Sequence, residues 1–244
     1  MKQLRFLAMA LAATSMSLFL SSCGSGDDKK TEEAKTDTSS QKPQEPPPPP
    51  TPVKPSNVVV IMHKVANYAK WKMAYDSHDS ARQAAGLKNY VIGRGMNDSN
   101  MVLVALKMDD VTKAKEFAAS KDLMDKMKKA GVIGKPVIEY INVVMVDPTV
   151  TQSTRLRVTH KVKDWDAWKK VFDSHKQARM DAGLIDRSLG YSMDDNHIVT
   201  IVFAVTDMAK AKAFTTSKDL KDKMTEAGVE GPPTFFWYNV AQTY

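Results

Sequence analysis

Two of the five histidines, His63 and His78, return 97 positions later as His160 and His175. Around the second of each pair the chain reads W-K-M-A-Y-D-S-H-D-S-A-R-Q-A-A-G-L from Trp71 and W-K-K-V-F-D-S-H-K-Q-A-R-M-D-A-G-L from Trp168. An imidazole can donate and accept hydrogen bonds, or move a proton near neutral pH. An arginine four residues on can hold an anionic or enolate oxygen, and aromatics can wall an apolar cavity. At about 100° per residue, Trp71, Tyr75, His78 and Arg82 share one helix face, as do Trp168, Phe172, His175 and Arg179. Asp76 falls on the opposite side, which breaks up the triad-like string Asp76-Ser77-His78. Small residues beside the histidine (Ala74, Ala81, Ala85) leave room for a cleft. On the strand that opens the second copy, Leu156, Val158 and His160 alternate with Arg155, Arg157 and Thr159. That parity turns His160, and by repetition His63, toward the helices.

The candidate ligand-binding set is therefore His63, Trp71, Tyr75, His78 and Arg82, with His160, Trp168, Phe172, His175 and Arg179. The competing reading keeps the same residues as satisfied core groups, with each arginine laying its stem over an aromatic. No catalytic residue is assigned. Two histidines per half, with one cysteine in the whole chain, fall short of a zinc ligand set. No cofactor is expected, although haem stays open because it needs only one axial histidine. No Gly-rich phosphate loop, nucleophile elbow or dinucleotide fingerprint is present. His197 aligns with Asn100 in a turn and is expected to be exposed, and most of the 15 methionines are expected to fill core gaps.

The positioning elements follow from the repeat. With His63 set on His160 and no gap as far as Pro136 and Pro233, 34 of 74 positions are identical, which marks a tandem duplication. Each copy opens on an apolar strand. Asn67 and Asp164 then stand at N-cap positions of a helix running over about 68–85 in the first copy, ended by Gly86 and, in the second, by Gly183. Two strands, 87–96 and 101–107, flank the polar turn Asn97-Asp98-Ser99-Asn100. Asp110 and Asp207 cap a second helical region, which restarts at Ser120 and ends at Gly131. A last strand covers 136–146, matched by 233–240. The order is β-α-β-β-α-β, twice: an α+β chain of two ferredoxin-like units, each with one sheet face bare. The copies can cover those faces for each other, so that one chain closes a barrel with its helices outside.

On H-K-V, W-K, D-S-H, A-R and A-G-L, with A-G-V near the end of each copy, the tandem unit resembles the dimeric α/β-barrel superfamily. More closely it is similar to uncharacterised bacterial proteins of cyclase or antibiotic-biosynthesis-monooxygenase type. The resemblance covers 57–146 and 155–243 and implies an intramolecular dimeric α/β barrel, probing neither activity nor catalytic residues.

Ahead of the repeats, Lys2 and Arg5 precede an uncharged apolar run from Phe6 to Leu20. About 15 residues suit a secretory signal better than a membrane span. The run ends in Leu20-Ser21-Ser22-Cys23, which resembles a lipoprotein signal (1–22) with Cys23 as the lipidated residue. Gly24 after it, rather than an acid, points by resemblance to sorting rules toward the outer membrane. Residues 23–56 are polar and then Pro-rich (Pro46 to Pro50), the composition of a disordered tether. The net charge of +7 is spread as lysines interleaved with acids, with no single-sign stripe for nucleic acid. Three functions stay open: an envelope lipoprotein binding a small, mostly apolar ligand; a cofactor-independent monooxygenase, isomerase or cyclase; and a structural lipoprotein binding another envelope protein. A monomer is expected to suffice.

Overall fold

The computed structural model describes residues 55–244; the expected signal peptide, Cys23 and all but the last two tether residues lie outside them. The first copy consists of β1 Val58–Val65, α1 Tyr68–Ser77, α2 Asp79–Ala84, β2 Leu87–Gly95, β3 Met101–Met108, α3 Val111–Ala119, α4 Lys121–Ala130 and β4 Val132–Val146. The second consists of β5 Thr154–Val162, α5 Trp165–Ser174, α6 Lys176–Asp181, β6 Leu184–Ser192, β7 Ile198–Val205, α7 Met208–Thr215, α8 Lys218–Glu226 and β8 Val229–Thr243.

The capping residues act as their types dictate. Asn67 and Asp164 accept from Lys70 N and Ala167 N, while Asp110 and Asp207 accept from the first turns of α3 and α7. Ser120 caps α4 through Leu123 N, so the break after α3 is a fresh start. The first helix differs from its expected continuous run over 68–85, because it stops at Ser77 and restarts after His78, whose backbone lies at φ −102°, ψ 15°. The Ser77 hydroxyl donates to the Ala74 carbonyl, and Ser174 does the same to Val171, loosening the helix at this turn.

All eight strands pair antiparallel and close in the order β1-β3-β2-β8-β5-β7-β6-β4. Each copy contributes four neighbouring strands, and the seams between copies are β2–β8 and β4–β6. Closure removes every sheet edge. The last strand of each copy begins four residues earlier than expected, at Val132 and Val229, directly after the turn that ends the helix. The two prolines do not stop it because the ladder bulges there. Pairing of β1 with β4 skips between Met62 and Lys64, and pairing of β5 with β8 skips between Thr159 and Lys161. Gly134 and Gly231 take φ of 73° and 70° in those bulges, a left-handed backbone that favours glycine. The skipped residues are His63 and His160.

Two apolar cores lie between the outer sheet face and the helices, one per copy, built around Trp71, Leu87 and Val104 and around Trp168, Leu184 and Ile201. A third fills the lumen, from Val58, Val60, Leu103, Ala105, Ile141 and Tyr238. The methionines follow expectation in part: among the described residues Met108 is buried and Met62, Met145 and Met208 pack against the cores, while Met73, Met96, Met124, Met180 and Met193 are exposed.

Candidate functional site

Alternation along β1 and β5 turns His63 and His160 to the outer sheet face, opposite the bulges of β4 and β8 and each against a tryptophan. Ring centroids are 5.5 Å apart for His63–Trp71 and 5.5 Å for His160–Trp168. From there a stack continues outward. Trp71 lies on Tyr75 at 5.2 Å and Trp168 on Phe172 at 4.9 Å. The guanidinium of Arg82 covers the Tyr75 ring at 3.7 Å, and that of Arg179 covers Phe172 at 3.6 Å. The stack thus follows chain order from strand to helix, His63, Trp71, Tyr75 and Arg82, and leaves His78 out of it.

The second histidine of each copy is spoken for. His78 Nε2 lies 2.6 Å from Asp122 Oδ2, and His175 Nε2 lies 2.7 Å from Asp219 Oδ2. Each ring also packs against a phenylalanine, Phe117 or Phe214. Asp122 and Asp219 stand in the first turns of α4 and α8, so each pair ties the helix junction after Ser77 or Ser174 to the other helical layer. The repeat itself carried the signal for these partners: the string S-K-D-L occurs at Ser120 and again at Ser217.

The arginines do not hold out a free fork. Arg82 donates from Nε to Asn89 Oδ1 (3.1 Å), from Nη1 to the Tyr75 carbonyl (2.7 Å) and from Nη2 to Asp79 (3.1 Å). Arg179 donates from Nε and Nη2 to Asp186 (3.0 and 2.8 Å) and from Nη1 to the Phe172 carbonyl. Holding an anionic oxygen, the role sketched for them from sequence, is therefore not available in this arrangement. The two copies satisfy the same guanidinium differently. The first uses an acid at Asp79 and an amide at Asn89; the second has Lys176 at the former position and the acid at Asp186. Burial works to raise the Asp79 carboxyl, but bonds from Asn89, Gln83 and Arg82 hold it below its usual range. Burial pushes the Tyr75 phenol well above its ordinary value, and its hydroxyl donates to Asn89.

What remains open is His63 and His160. Both are buried, and all four of their ring nitrogens lack a hydrogen-bond partner among the described residues. Burial lowers each to a pKa of about 4, so both rings are neutral at pH 7. That corrects the sequence expectation of an imidazole titrating near neutrality. Each ring borders a cleft between sheet and helices, of about 70 Å³ in the second copy and about 60 Å³ in the first. The second cleft touches all five candidates of its copy, His160, Trp168, Phe172, His175 and Arg179. The first touches His63, Tyr75 and Arg82, while Trp71 and His78 do not line it. Its small residues are Ala114 and Ala118 of α3, in place of the alanines expected from the first helix. The remaining walls are aliphatic and aromatic, with Val158, Leu184, Phe203 and Phe214 in the second copy. His197 is exposed beside Asp195.

With a water centre needing about 10–15 Å³, either cleft takes roughly five. That suits a single small ring or short chain. Clefts of that size do not admit a porphyrin, so the residues do not fit haem. Among the described residues no three His, Cys, Asp or Glu side chains stand together as a metal would need.

No protein-family model matches the chain, and no curated protein matches it by sequence. Solved structures do. An anthrone oxidase-like protein aligns at TM-score 0.54 and 12% identity over 79% of this chain and 94% of its own. A candidate monooxygenase from Fusobacterium nucleatum aligns at TM-score 0.52 and 12% identity over 77% and 93%. A candidate chlorite dismutase does so at 0.51 and 12% over 77% and 96%. Likeness at this identity concerns the fold. The chain has the dimeric α/β-barrel fold of these monooxygenase-like proteins, with both halves of the barrel supplied by one polypeptide.

Proposed function

We propose that each repeat binds one small, mostly apolar molecule in its sheet–helix cleft, through a hydroxyl or carbonyl group hydrogen-bonded to His63 or His160. The observation that carries this reading is the pair of orphaned imidazoles. Buried polar groups in folded proteins are nearly always satisfied, and leaving one unmade costs about 1–3 kcal/mol. A neutral imidazole offers one donor and one acceptor, so a phenol, alcohol or ketone satisfies it while the aromatic walls take the apolar body. At a pKa of about 4 the ring is a weak base at neutral pH, so hydrogen bonding is the role supported ahead of proton abstraction. The oxygenase alternative draws on the names of fold neighbours, and the isomerase and cyclase alternatives on the sequence resemblance alone.

Trp71 and Trp168 make the test direct, since each packs on the histidine concerned. Phenol titrated into the purified chain should quench tryptophan fluorescence saturably. Benzene, without the hydroxyl, should bind at least ten times more weakly. A His63→Leu, His160→Leu double variant should lose the preference for phenol. Equal affinity of that variant for both compounds would remove the histidines from the site.

We propose further that the barrel works at the cell envelope, tethered through Cys23. Fatty-acid labelling of cells expressing the chain should mark the protein, and Cys23→Ser should abolish the label.

A further inference from the structure

The two copies agree on their helix-facing residues and disagree inside the barrel. Val58, Val60 and Met62 of β1 correspond to Arg155, Arg157 and Thr159 of β5, and Leu103 corresponds to Thr200. The first set belongs to the apolar lumen core. The second puts two arginines, 7% and 5% exposed, into the same space. A third, Arg187, sits at the bulge of β6 and donates to the hydroxyl of Tyr90, its own counterpart in the first copy, at 3.0 Å.

The partners of these three side chains are incomplete. Arg155 Nη2 donates to the Val150 carbonyl at 2.9 Å, while Nη1 has no partner. Arg157 crosses the lumen to Glu139, touches Thr200 Oγ1 at 3.3 Å and lies 3.8 Å from Met62 Sδ, but its Nε has no partner. Arg187 Nη1 is likewise buried and unpaired. The nearby acids do not balance the charge. Glu139 is taken by Arg157, and Asp147, which also receives Thr149 N and Oγ1, sets one negative charge near Arg187, so the three arginines keep one positive charge in excess. Lys107, itself exposed, lies over the Tyr90 ring at 4.8 Å. Tyr238, opposite Arg155 in the β5–β8 ladder, supplies no charge, since burial pushes its phenol up to about 12. Buried guanidinium groups repel one another strongly when too few anions accompany them.

We infer that the barrel lumen holds a small monovalent anion, a halide or a carboxylate, among Arg155, Arg157 and Arg187. The class follows from two facts: the cations outnumber the acids, and the surrounding lumen is packed with Val58, Val60, Leu103 and Ile141. Only a compact acceptor suits three separate N–H groups in such a space. This site is independent of the sheet–helix clefts, which lie on the other face of the strands.

Two measurements on the purified full chain test it. Thermal unfolding is followed as bromide or formate replaces a bulky sulfonate at constant ionic strength. Above Kd the midpoint should rise with the logarithm of anion concentration, by about 5 °C near a hundredfold excess over Kd, and Arg155→Met should lose the rise. Whichever anion acts at the lower concentration identifies the class as halide or carboxylate. Crystals of the unsubstituted chain grown in bromide should show an anomalous peak within hydrogen-bonding distance of Arg155 and Arg187, a result that does not depend on the variant folding. Equal midpoints in bromide, formate and sulfonate, or a lumen that shows neither a bromide peak nor, in crystals grown in formate, a bound carboxylate, would overturn the proposal.

Discussion

His78 and Asp122 meet at 2.6 Å across 44 residues of chain, and His175 and Asp219 repeat the contact at 2.7 Å. Each pair joins a buried ring to an exposed carboxylate at the start of a helix, over the outer wall of a cleft. Asp219→Ala should lower the stability by about 1 kcal/mol, the worth of a charge-assisted bond reduced by the exposure of its acid. A double-mutant cycle with His175→Gln in urea unfolding checks it, and a coupling near zero would show the contact to be idle.

Acid should weaken the barrel through His63 and His160. In the unfolded chain an imidazole titrates near 6.5, whereas burial lowers both of these to about 4 in the folded state. Between those values the unfolded chain binds more protons, so stability rises with pH through the window and is lost as pH falls from 6.5 toward 4. The full shift corresponds to roughly 3 kcal/mol per ring. Urea unfolding at pH 7 and pH 4 should show a steep fall that His63→Gln and His160→Gln each cut by about half.

Arg179 should matter to stability before it matters to any ligand. It is 4% exposed, paired with Asp186 and stacked on Phe172. Arg179→Met strands a largely buried carboxylate and should destabilise by about 3–5 kcal/mol. Combining it with Asp186→Asn should recover part of that loss in chemical denaturation, which a charge-independent packing defect would not allow.

Gly190 closes the seam between copies. A Cβ built there meets the Asn142 carbonyl and the Ile141 side chain on β4, the neighbouring strand of the other copy. Backbone does not yield as a flexible side chain does, so Gly190→Ala should cost about 1–3 kcal/mol. Its counterpart Gly93→Ala meets the ring of buried Tyr238 instead. Both are read by thermal unfolding, with Gly134→Ala as a strained but uncrowded control.

Because the eight strands of the described residues close on one another, none of them leaves a sheet edge to recruit a second copy. Sedimentation of the purified chain should give a monomer at micromolar concentration. An obligate dimer would mean that the closed barrel opens and exchanges halves between chains.

The amino-acid sequence alone determined the duplication, the β-α-β-β-α-β order, the caps at Asn67, Asp110 and Ser120, and the parity that sends His63 and His160 toward the helices. Those features rest on short-range patterns, where residue type and period act directly on the local backbone. Tertiary structure decided which polar groups keep a free bond. Asp122 reaches His78 from 44 residues away, and Asn89 and Asp79 consume the guanidinium that the helix face seemed to offer, because hydrogen bonds between elements depend on distance and not on period. The bulges at Gly134 and Gly231, invisible in a strand's alternation, set His63 and His160 at gaps in the ladder. Only closure of the sheet brought Arg155, Arg157 and Arg187 into one lumen, where Glu139 pairs with Arg157 and burial leaves one nitrogen of each guanidinium without a partner.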